Sequence, residues 1–260
     1  MAMIQTLYSG SSGNCTLIKD SGTAFLIDMG KNCKSTLSAL YVAGISAKDL
    51  SGILITHEHS DHIAGLGVFL KHYPVPLYGS AAVLEYLHNS GMVPDCDFVE
   101  MEPCEEILLG NTGFSAFRTS HDSLDCFGYR FIFENGRSAA IATDLGCVGE
   151  SVINELSGCD FVGLESNYDE MMLRDGRYPL YLKRRIASKL GHLSNKDCAG
   201  VFAELALGGT EKFMLMHLSA ENNAPDIALT TCLGILENSG ADGCRVEVAP
   251  RHGVGEAVEV

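Results

Sequence analysis

The sequence lacks the features that define several classes of protein. It has no run of about 18 consecutive apolar residues, so we expect no segment that spans a bilayer and no membrane partner. Its first ten residues have neither a basic start nor a long apolar stretch, which argues against secretion by a signal peptide. None of its ten cysteines forms a Cys-x-x-Cys pair, so zinc-ribbon and dithiol redox motifs are missing. These absences predict a cytoplasmic protein with reduced, mostly buried thiols.

Positive charge is also scarce. The 18 lysines and arginines are outnumbered by 33 aspartates and glutamates, and the formal net charge is −15. Taken alone, this charge disfavours a phosphate-rich partner. However, seven of the 18 basic residues lie within residues 174–196, where Asp175 is their only acidic neighbour. We call residues 174–196 the basic segment. It is either an ordinary solvated surface or a binding surface for a polyanion, and its composition leaves both interpretations open.

The length and the residue pattern predict one domain of α/β (α+β) class over residues 1–260. Hydrophobic residues make up 46% of the chain, an ordinary value for a globular protein, and no repeat or linker interrupts it. Short β-type runs predominate in the first two-thirds, at 16–18, 23–27, 52–56, 113–119, 127–133 and 138–143. Helical patterns include 81–87, 182–190, 197–207 and 225–238. This mixture predicts helices packed outside β-sheets.

One short motif concentrates side chains that bind metals. Directly after the run 52–56, the sequence reads His57-Glu-His59-Ser-Asp61-His62. Imidazole and carboxylate are ligands that zinc, manganese and iron accept, and chance would produce this pattern in about one such chain in a thousand. Because alternate side chains of an extended segment point the same way, His57 and His59 can bind one ion. Asp61 and His62 then begin a helix, with Ser60 as its predicted N-cap, and face a second ion.

Six residues cannot complete two coordination spheres, so further ligands must come from other strand ends. Further β-type runs are expected at 161–164 and 213–216. A polar residue lies just beyond each of the runs 23–27, 113–119, 138–143, 161–164 and 213–216: Asp28, His121, Asp144, Glu165 and His217. We expect these residues to meet along one edge of the sheets. Each of them, taken singly, is also compatible with an ordinary capping or turn position.

Together these residues resemble the metallo-β-lactamase fold family. The resemblance rests on His57-x-His59-x-Asp61-His62, on His121, Asp144 and His217, and on Leu26-Ile-Asp28-x-Gly30, and it covers essentially the whole chain. It implies a four-layer αββα sandwich with two divalent ions, zinc or manganese, with iron also possible. On the family pattern, His57, His59 and His121 hold one ion, Asp61, His62 and His217 hold the other, and Asp144 bridges them. Asp28 and Glu165 would orient ligands by hydrogen bonds.

A narrower resemblance is to the YycJ/WalJ branch of this family. It rests on Ser9-Gly-Ser-Ser-Gly-Asn14, Ser120-His-Asp122, Glu165-Ser-Asn167, Gly191-His-Leu-Ser-Asn195 and His217-Leu-Ser-x-x-Asn-Asn223, and Arg177-Tyr-Pro179 and Lys183-Arg-Arg-Ile186 extend it through the basic segment. The branch implies a cytoplasmic 5′→3′ exonuclease on double-stranded DNA. The resemblance favours a catalytic role for His192, which could otherwise only cap a helix end, and we expect Asp61 to be catalytic as well. As substrate contacts we expect Asn167, Asn14 at the end of a Gly/Ser-rich turn that is also compatible with an ordinary turn, and Arg184 and Arg185 of the basic segment.

Without the resemblance, the residues predict only metal-assisted hydrolysis. A phosphodiester, a thioester, a lactone and a β-lactam are all compatible with two adjacent cations. The basic segment favours the phosphodiester, since a cationic surface suits a polyanion. The alternatives are a small-molecule hydrolase of the glyoxalase II or lactonase kind and, less favoured, a di-iron redox protein. His59 argues against the last, because redox sites of this type tend to have a carboxylate there.

Overall fold

Two mixed seven-stranded sheets lie face to face in the computed structural model, which describes residues 2–260. The first sheet has the order β14-β1-β2-β3-β4-β5-β6. Its strands are β1 (Met3–Tyr8), β2 (Cys15–Asp20), β3 (Thr23–Ile27), β4 (Gly52–Leu54), β5 (Leu77–Gly79), β6 (Phe98–Glu100) and β14 (Val258–Glu259). Strands β3 to β6 run parallel, so the loops after β3 and β4 leave the same edge.

The second sheet has the order β13-β12-β11-β10-β9-β8-β7. Its strands are β7 (Ile107–Leu109), β8 (Thr112–Arg118), β9 (Phe127–Ile132), β10 (Ser138–Ala142), β11 (Phe161–Glu165), β12 (Lys212–Met216) and β13 (Arg245–Val248). Strands β10 to β13 are parallel, and the loops that follow them therefore share one edge of this sheet.

Helices cover the outer face of each sheet. On the first sheet lie α1 (Cys33–Val42), α3 (Leu66–His72) and α4 (Ala81–Asn89); α5 (Glu150–Leu156), α8 (Asn195–Leu207) and α9 (Pro225–Asn238) lie on the second. The short helices are a 3-10 turn (Ala47–Asp49), α2 (Ser60–Ile63), α6 (Glu170–Asp175) and α7 (Leu180–Ile186). A third apolar cluster fills the space between the sheets, where the rings of Phe25 and Phe114 are 5.0 Å apart. The predicted αββα sandwich is confirmed.

Two hydrogen bonds join the two sheets at the end of β4, next to the His57 motif. The buried Tyr129 hydroxyl of β9 donates to the Ile55 carbonyl at 2.6 Å, and the Phe127 N–H donates to the Thr56 carbonyl at 3.0 Å. They satisfy backbone groups where β4 ends and its following loop begins. The loop that carries His57 is therefore fixed against both sheets.

Two local predictions were wrong. The helix predicted for 182–190 ends at Ile186, because the chain turns back there and the His192 N–H donates to the Ile186 carbonyl at 2.8 Å. A Cβ on Gly191 would lie 2.2 Å from the same carbonyl, so only glycine fits this turn. Ser60 is the first residue of α2 and not its N-cap; His59 occupies the cap position without a capping side-chain hydrogen bond.

The cysteines and the helix lengths agree with the sequence analysis. All ten cysteines are free thiols, and six of them are buried. The longest helix within residues 2–260, α9, has 14 residues, and no helix in this range is long and apolar enough to cross a membrane.

Candidate metal centre

The loop after β4 gathers imidazoles at the edge of the first sheet. The rings of His57 and His59 have centroids 4.5 Å apart, and those of His57 and His62 are 4.1 Å apart. His57 and His62 are fully buried, whereas Asp61 keeps a quarter of its side chain exposed. The loop thus presents several ligand atoms to one partly open pocket.

Three strands of the two sheets end in strained residues that face this loop. Asp28 follows β3 with φ 62°, Asp144 lies just beyond β10 with φ 56°, and His217 follows β12 with φ 56°. A non-glycine residue in the left-handed region costs free energy, and such residues persist where the surrounding structure holds them. Here the sharp turn brings each side chain back over its own strand end, toward the imidazoles.

The structure brings the predicted ligand atoms together. Ligand atoms of His57, His59 and His121 all lie within 4.8 Å of one another, and the same holds for Asp61, His62 and His217 and for His57, His62 and Asp144. Asp144 lies between the groups, with Oδ2 3.1 Å from His62 Nε2 and Oδ1 3.8 Å from His121 Nε2.

Unsatisfied buried atoms show that this donor set fits cations. The Nε2 atoms of His57, His121 and His217 and Oδ2 of Asp144 are buried without a properly directed hydrogen bond. Buried polar groups are normally paired, so four such atoms in one pocket need a common partner. Two divalent cations, each bound by imidazole and carboxylate, would satisfy all four.

The electrostatics of the chain alone favour positive charge in this pocket. Burial lowers the pKa of His62, but Asp28 and Asp144 outweigh burial and raise it to about 10. Burial raises the pKa of Asp144, but His217 and His62 hold it well below its ordinary value. Burial and the neighbouring His62 keep the pKa of His57 well below the usual range, so its ring is neutral and able to ligate.

Asp28 fixes the orientation of His62. Its Oδ1 accepts from the Thr56 N–H at 2.9 Å, and its Oδ2 accepts from the Thr56 hydroxyl at 2.8 Å and lies 2.7 Å from His62 Nδ1. A histidine held through Nδ1 presents Nε2 to the pocket. Close by, a Cβ on Gly30 would lie 1.6 Å from the Asp61 carbonyl oxygen, so the two loops can cross only at glycine.

Glu165 holds two more imidazoles in the same way. Its Oε1 lies 2.7 Å from His217 Nδ1 and 2.8 Å from His192 Nδ1. Its Oε2 accepts from the N–H groups of Leu145 and Leu193 at 3.0 and 3.1 Å. With four donors around a fully buried carboxylate, Glu165 has no lone pair well placed for a cation. Its contacts are those of a residue that orients ligands.

His192 lies at the wall of the pocket. Its ring centroid is 5.2 Å from that of His121 and 5.4 Å from that of His217. Burial lowers its pKa, but Glu165 more than compensates and raises it above the ordinary histidine value. Nδ1 is held by Glu165, and Nε2 has no hydrogen-bond partner in the described part of the chain. His192 can therefore present a proton at Nε2.

Two predicted substrate contacts, Asn14 and Asn167, are largely buried beside the metal centre. Asn14 is 6% exposed; its Oδ1 accepts from the Gly10 N–H at 2.9 Å, and its Nδ2 lies 3.1 Å from His62 Nε2. Asn167 is 3% exposed and donates from Nδ2 to the His217 carbonyl at 2.9 Å. Both amides hold ligand-bearing loops, and contact of either with a substrate stays a prediction.

The two predicted arginine contacts differ from each other. Arg185 donates from Nε and Nη2 to the two carboxylate oxygens of Asp122 at 2.6 and 2.8 Å. Its charge is thus neutralised beside His121, whose Nε2 lies 3.5 Å from Asp122 Oδ1. Arg184 is exposed and forms no ion pair within residues 2–260. In the free protein Arg184 is unpaired and Arg185 is paired, and a phosphate contact by either residue stays a prediction.

The sequence analysis assigned no individual role to Thr56 or Ser9, although both help to build the site. The Thr56 hydroxyl contacts Asp28 and lies 3.0 Å from His57 Nδ1; its position directly before His57 was the available signal. The Ser9 hydroxyl accepts from the His217 N–H at 2.8 Å across 208 residues of sequence, and no local pattern indicates that contact.

Comparisons with known proteins agree with this geometry. The family model of a beta-lactamase superfamily domain matches residues 23–218. Exodeoxyribonuclease YycJ of Bacillus anthracis is 35% identical over 255 residues, which are 98% of this chain and 92% of that protein. Exodeoxyribonuclease WalJ of Streptococcus pneumoniae is 36% identical over 233 residues, 88% of this chain and 86% of that one.

A solved structure shows the same fold. The metallo-beta-lactamase fold protein YhfI of Bacillus subtilis superimposes with a TM-score of 0.76, covers 98% of both chains and is 17% identical in sequence. At 17% identity the two proteins are shown to share the arrangement of sheets and helices, and nothing further.

Proposed function

The chain belongs to the beta-lactamase superfamily, and from that premise we propose that it is a metal-dependent exodeoxyribonuclease acting on double-stranded DNA from 5′ ends. The observation that carries the proposal is the likeness over 98% of the chain to a protein named as an exodeoxyribonuclease. The preference for a duplex and the 5′→3′ polarity rest on the YycJ/WalJ resemblance of the motifs. The same resemblance supports a cytoplasmic location.

The pocket offers a complete donor set for two divalent ions, zinc or manganese, with iron also compatible. His57, His59 and His121 would hold one ion, Asp61, His62 and His217 the other, with Asp144 shared between them. When bound, such a pair lowers the pKa of a water molecule and stabilises the negative charge that develops on the oxygens of the reacting phosphate.

The surrounding residues prepare this pocket for hydrolysis. Asp28 and Glu165 hold His62 and His217 through Nδ1, which directs both Nε2 atoms inward. His192, also held by Glu165, would as an imidazolium donate its Nε2 proton to the leaving oxygen of the DNA. Asp61 is the most exposed of the carboxylates assigned to the ions, so an ion that it holds would be accessible to the reacting phosphate.

Free cations beside the pocket support a polyanionic substrate. Arg177, Arg184, Lys189 and Lys196 are exposed, and none of their side chains forms an ion pair or hydrogen bond within the described residues. They lie in the basic segment, which reaches the pocket at His192, so they concentrate positive charge on this part of a chain whose net charge is −15. Such a local patch attracts phosphates although the whole chain is anionic.

A small-molecule ester or thioester hydrolase is the second candidate, favoured by one observation. A groove of about 620 Å³ opens beside His59 and is lined by apolar side chains, among them Val68, Tyr86 and Met92. An acyl chain would fit such a groove. This function leaves the free cations of the basic segment without a role, and we therefore rank it second.

End-labelled DNA tests the proposal directly. We expect the enzyme supplied with Mn²⁺ or Zn²⁺ to shorten a linear duplex from its 5′ ends and to leave a covalently closed circle intact. Degradation of the circle at the linear rate would refute exonuclease action, and shortening from 3′ ends alone would reverse the polarity. Turnover of a thioester without any DNA cleavage would select the second candidate.

A further inference from the structure

Helix α7 exposes large apolar side chains in the most cationic part of the chain. Tyr181 is 75% exposed and Leu180 63%, and Met171 of the adjacent α6 is 63% exposed. Isolated exposed apolar side chains are common and need no explanation. These three, however, lie among the free cations Arg177 and Arg184. Aromatic rings interspersed with arginine are the combination by which proteins bind nucleic acid strands without sequence preference.

The position of Tyr181 on α7 relates it to the metal centre. Leu182 and Ile186 form the inward face of the helix and pack with Tyr178 in a small apolar cluster. Tyr181 precedes Arg184 by three residues and Arg185 by four, so it adjoins both on the outward face. Arg185 in turn binds Asp122, the residue next to His121. Tyr181 therefore lies one helical turn from Arg185, whose guanidinium reaches the rim of the metal centre through Asp122.

The backbone around α7 is held firmly on both sides. The Asn195 N–H donates to the Tyr168 carbonyl at 2.8 Å, and the Asp122 N–H donates to the Leu190 carbonyl at 3.0 Å. His121 Nδ1 lies 3.0 Å from the Gly191 carbonyl. These contacts tie the basic segment to the loop that carries His121. An exposed ring on a fixed backbone loses little conformational entropy when it binds a flat partner.

From these observations we propose that Tyr181 stacks on a nucleobase unpaired at the frayed end of the duplex, on the strand whose phosphates would contact Arg177 and Arg184. The inference rests on the proposed nuclease function and adds a contact to the plane of a base. Stacking accepts every base, as an enzyme that degrades DNA of any sequence requires. A protein partner would also cover an exposed tyrosine, but the unpaired arginines beside it favour a polyanion.

Substitutions of Tyr181 test this in the metal-loaded enzyme. Tyr181→Ala should raise KM for a linear duplex about tenfold and change kcat by less than about twofold, because the contact aids binding and lies outside the reacting groups. Tyr181→Phe keeps the ring and should behave as wild type. Tyr41→Ala is the matched control: Tyr41 lies on α1, is 85% exposed and should have no effect.

A change in the DNA identifies the contact itself. Duplexes with one abasic nucleotide at successive positions from the 5′ end should show one position that raises KM of the wild type about tenfold. On that duplex Tyr181→Ala and wild type should have equal KM, because the stacking partner is missing from both. The salt dependence of binding should be unchanged in Tyr181→Ala, since no phosphate contact is lost.

Each contrary outcome has a distinct meaning. If Tyr181→Ala loses the same factor on intact and on every abasic duplex, the residue acts on the fold and the stacking proposal is overturned. If KM is unchanged and Tyr181→Ala instead dissociates an oligomer in sedimentation, the surface binds protein, which also overturns it. If the wild type degrades no linear DNA at all, the proposed function itself fails, and this is known before any variant is made.

Discussion

The metal centre and the basic segment both carry the charges that the proposed function needs, but their side chains are held very differently. At the centre, His62 and His217 each have a carboxylate behind Nδ1, and their neighbours are nearly all buried. In the basic segment most charged groups are exposed, and some are neutralised by nearby carboxylates. The centre is a preorganised site, whereas the segment is a surface of mixed paired and free charges.

This difference shows what a sequence pattern can report. A six-residue motif places its ligands together by local geometry alone, so its spacing carries structural information. A count of basic residues carries no information about their partners. Arg185 is neutralised by Asp122, which lies 63 residues away, and only the fold brings them together.

Loss of a metal ligand should have the largest effect on activity among these changes. His217→Ala removes one imidazole from the group of Asp61, His62 and His217, so the protein should bind one metal equivalent fewer. Hydrolysis should fall below about a thousandth of the wild-type rate. Elemental analysis and a nuclease assay measure both quantities. His72→Ala, an exposed histidine of α3, is the control and should change neither. Full metal content with retained activity in His217→Ala would remove this residue from the ligand set.

A smaller effect is expected from the residue behind the ligands. Glu165→Gln keeps the size of the side chain but loses the charge that holds His192 and His217. We expect metal affinity or activity to fall about 10- to 100-fold, the usual consequence of removing such a partner. Chelator competition and kcat measure it, with the exposed Glu204→Gln of α8 as a control. An unchanged Glu165→Gln would mean that burial alone orients the imidazoles.

Much of the architecture could be predicted because its determinants are local. Short β-type runs marked most of the strands that flank the site, and the residues that follow those runs, such as Asp144 and His217, do converge on one pocket. Contacts across the sequence could not be predicted. The link from Ser9 to His217 depends on the two sheets packing together, and the burial of Asn14 depends on the loop crossing at Gly30. The end of α7 was misplaced because the turn at Gly191 is set by tertiary contacts.

The smallest expected effect separates free from paired charge within the basic segment. Arg184→Gln removes an unpaired cation, so binding to a duplex with hairpin-closed ends should weaken severalfold. The slope of log affinity against log salt is negative, and its magnitude should decrease by about 0.9. The double variant Asp122→Asn/Arg185→Gln removes an ion pair of zero net charge and should leave that slope unchanged.

Asp122→Asn alone completes the comparison, because it releases Arg185 to meet a phosphate. The magnitude of its slope should increase by about 0.9 relative to wild type, whereas in Arg184→Gln it should decrease. Fluorescence anisotropy across a salt series measures all four proteins on the same DNA, which has no end for an exonuclease to attack. If the magnitude of the slope decreases in the double variant, Arg185 leaves Asp122 when DNA binds. In that case Arg185 is paired only in the free protein, and in the DNA complex it contacts phosphate as Arg184 does.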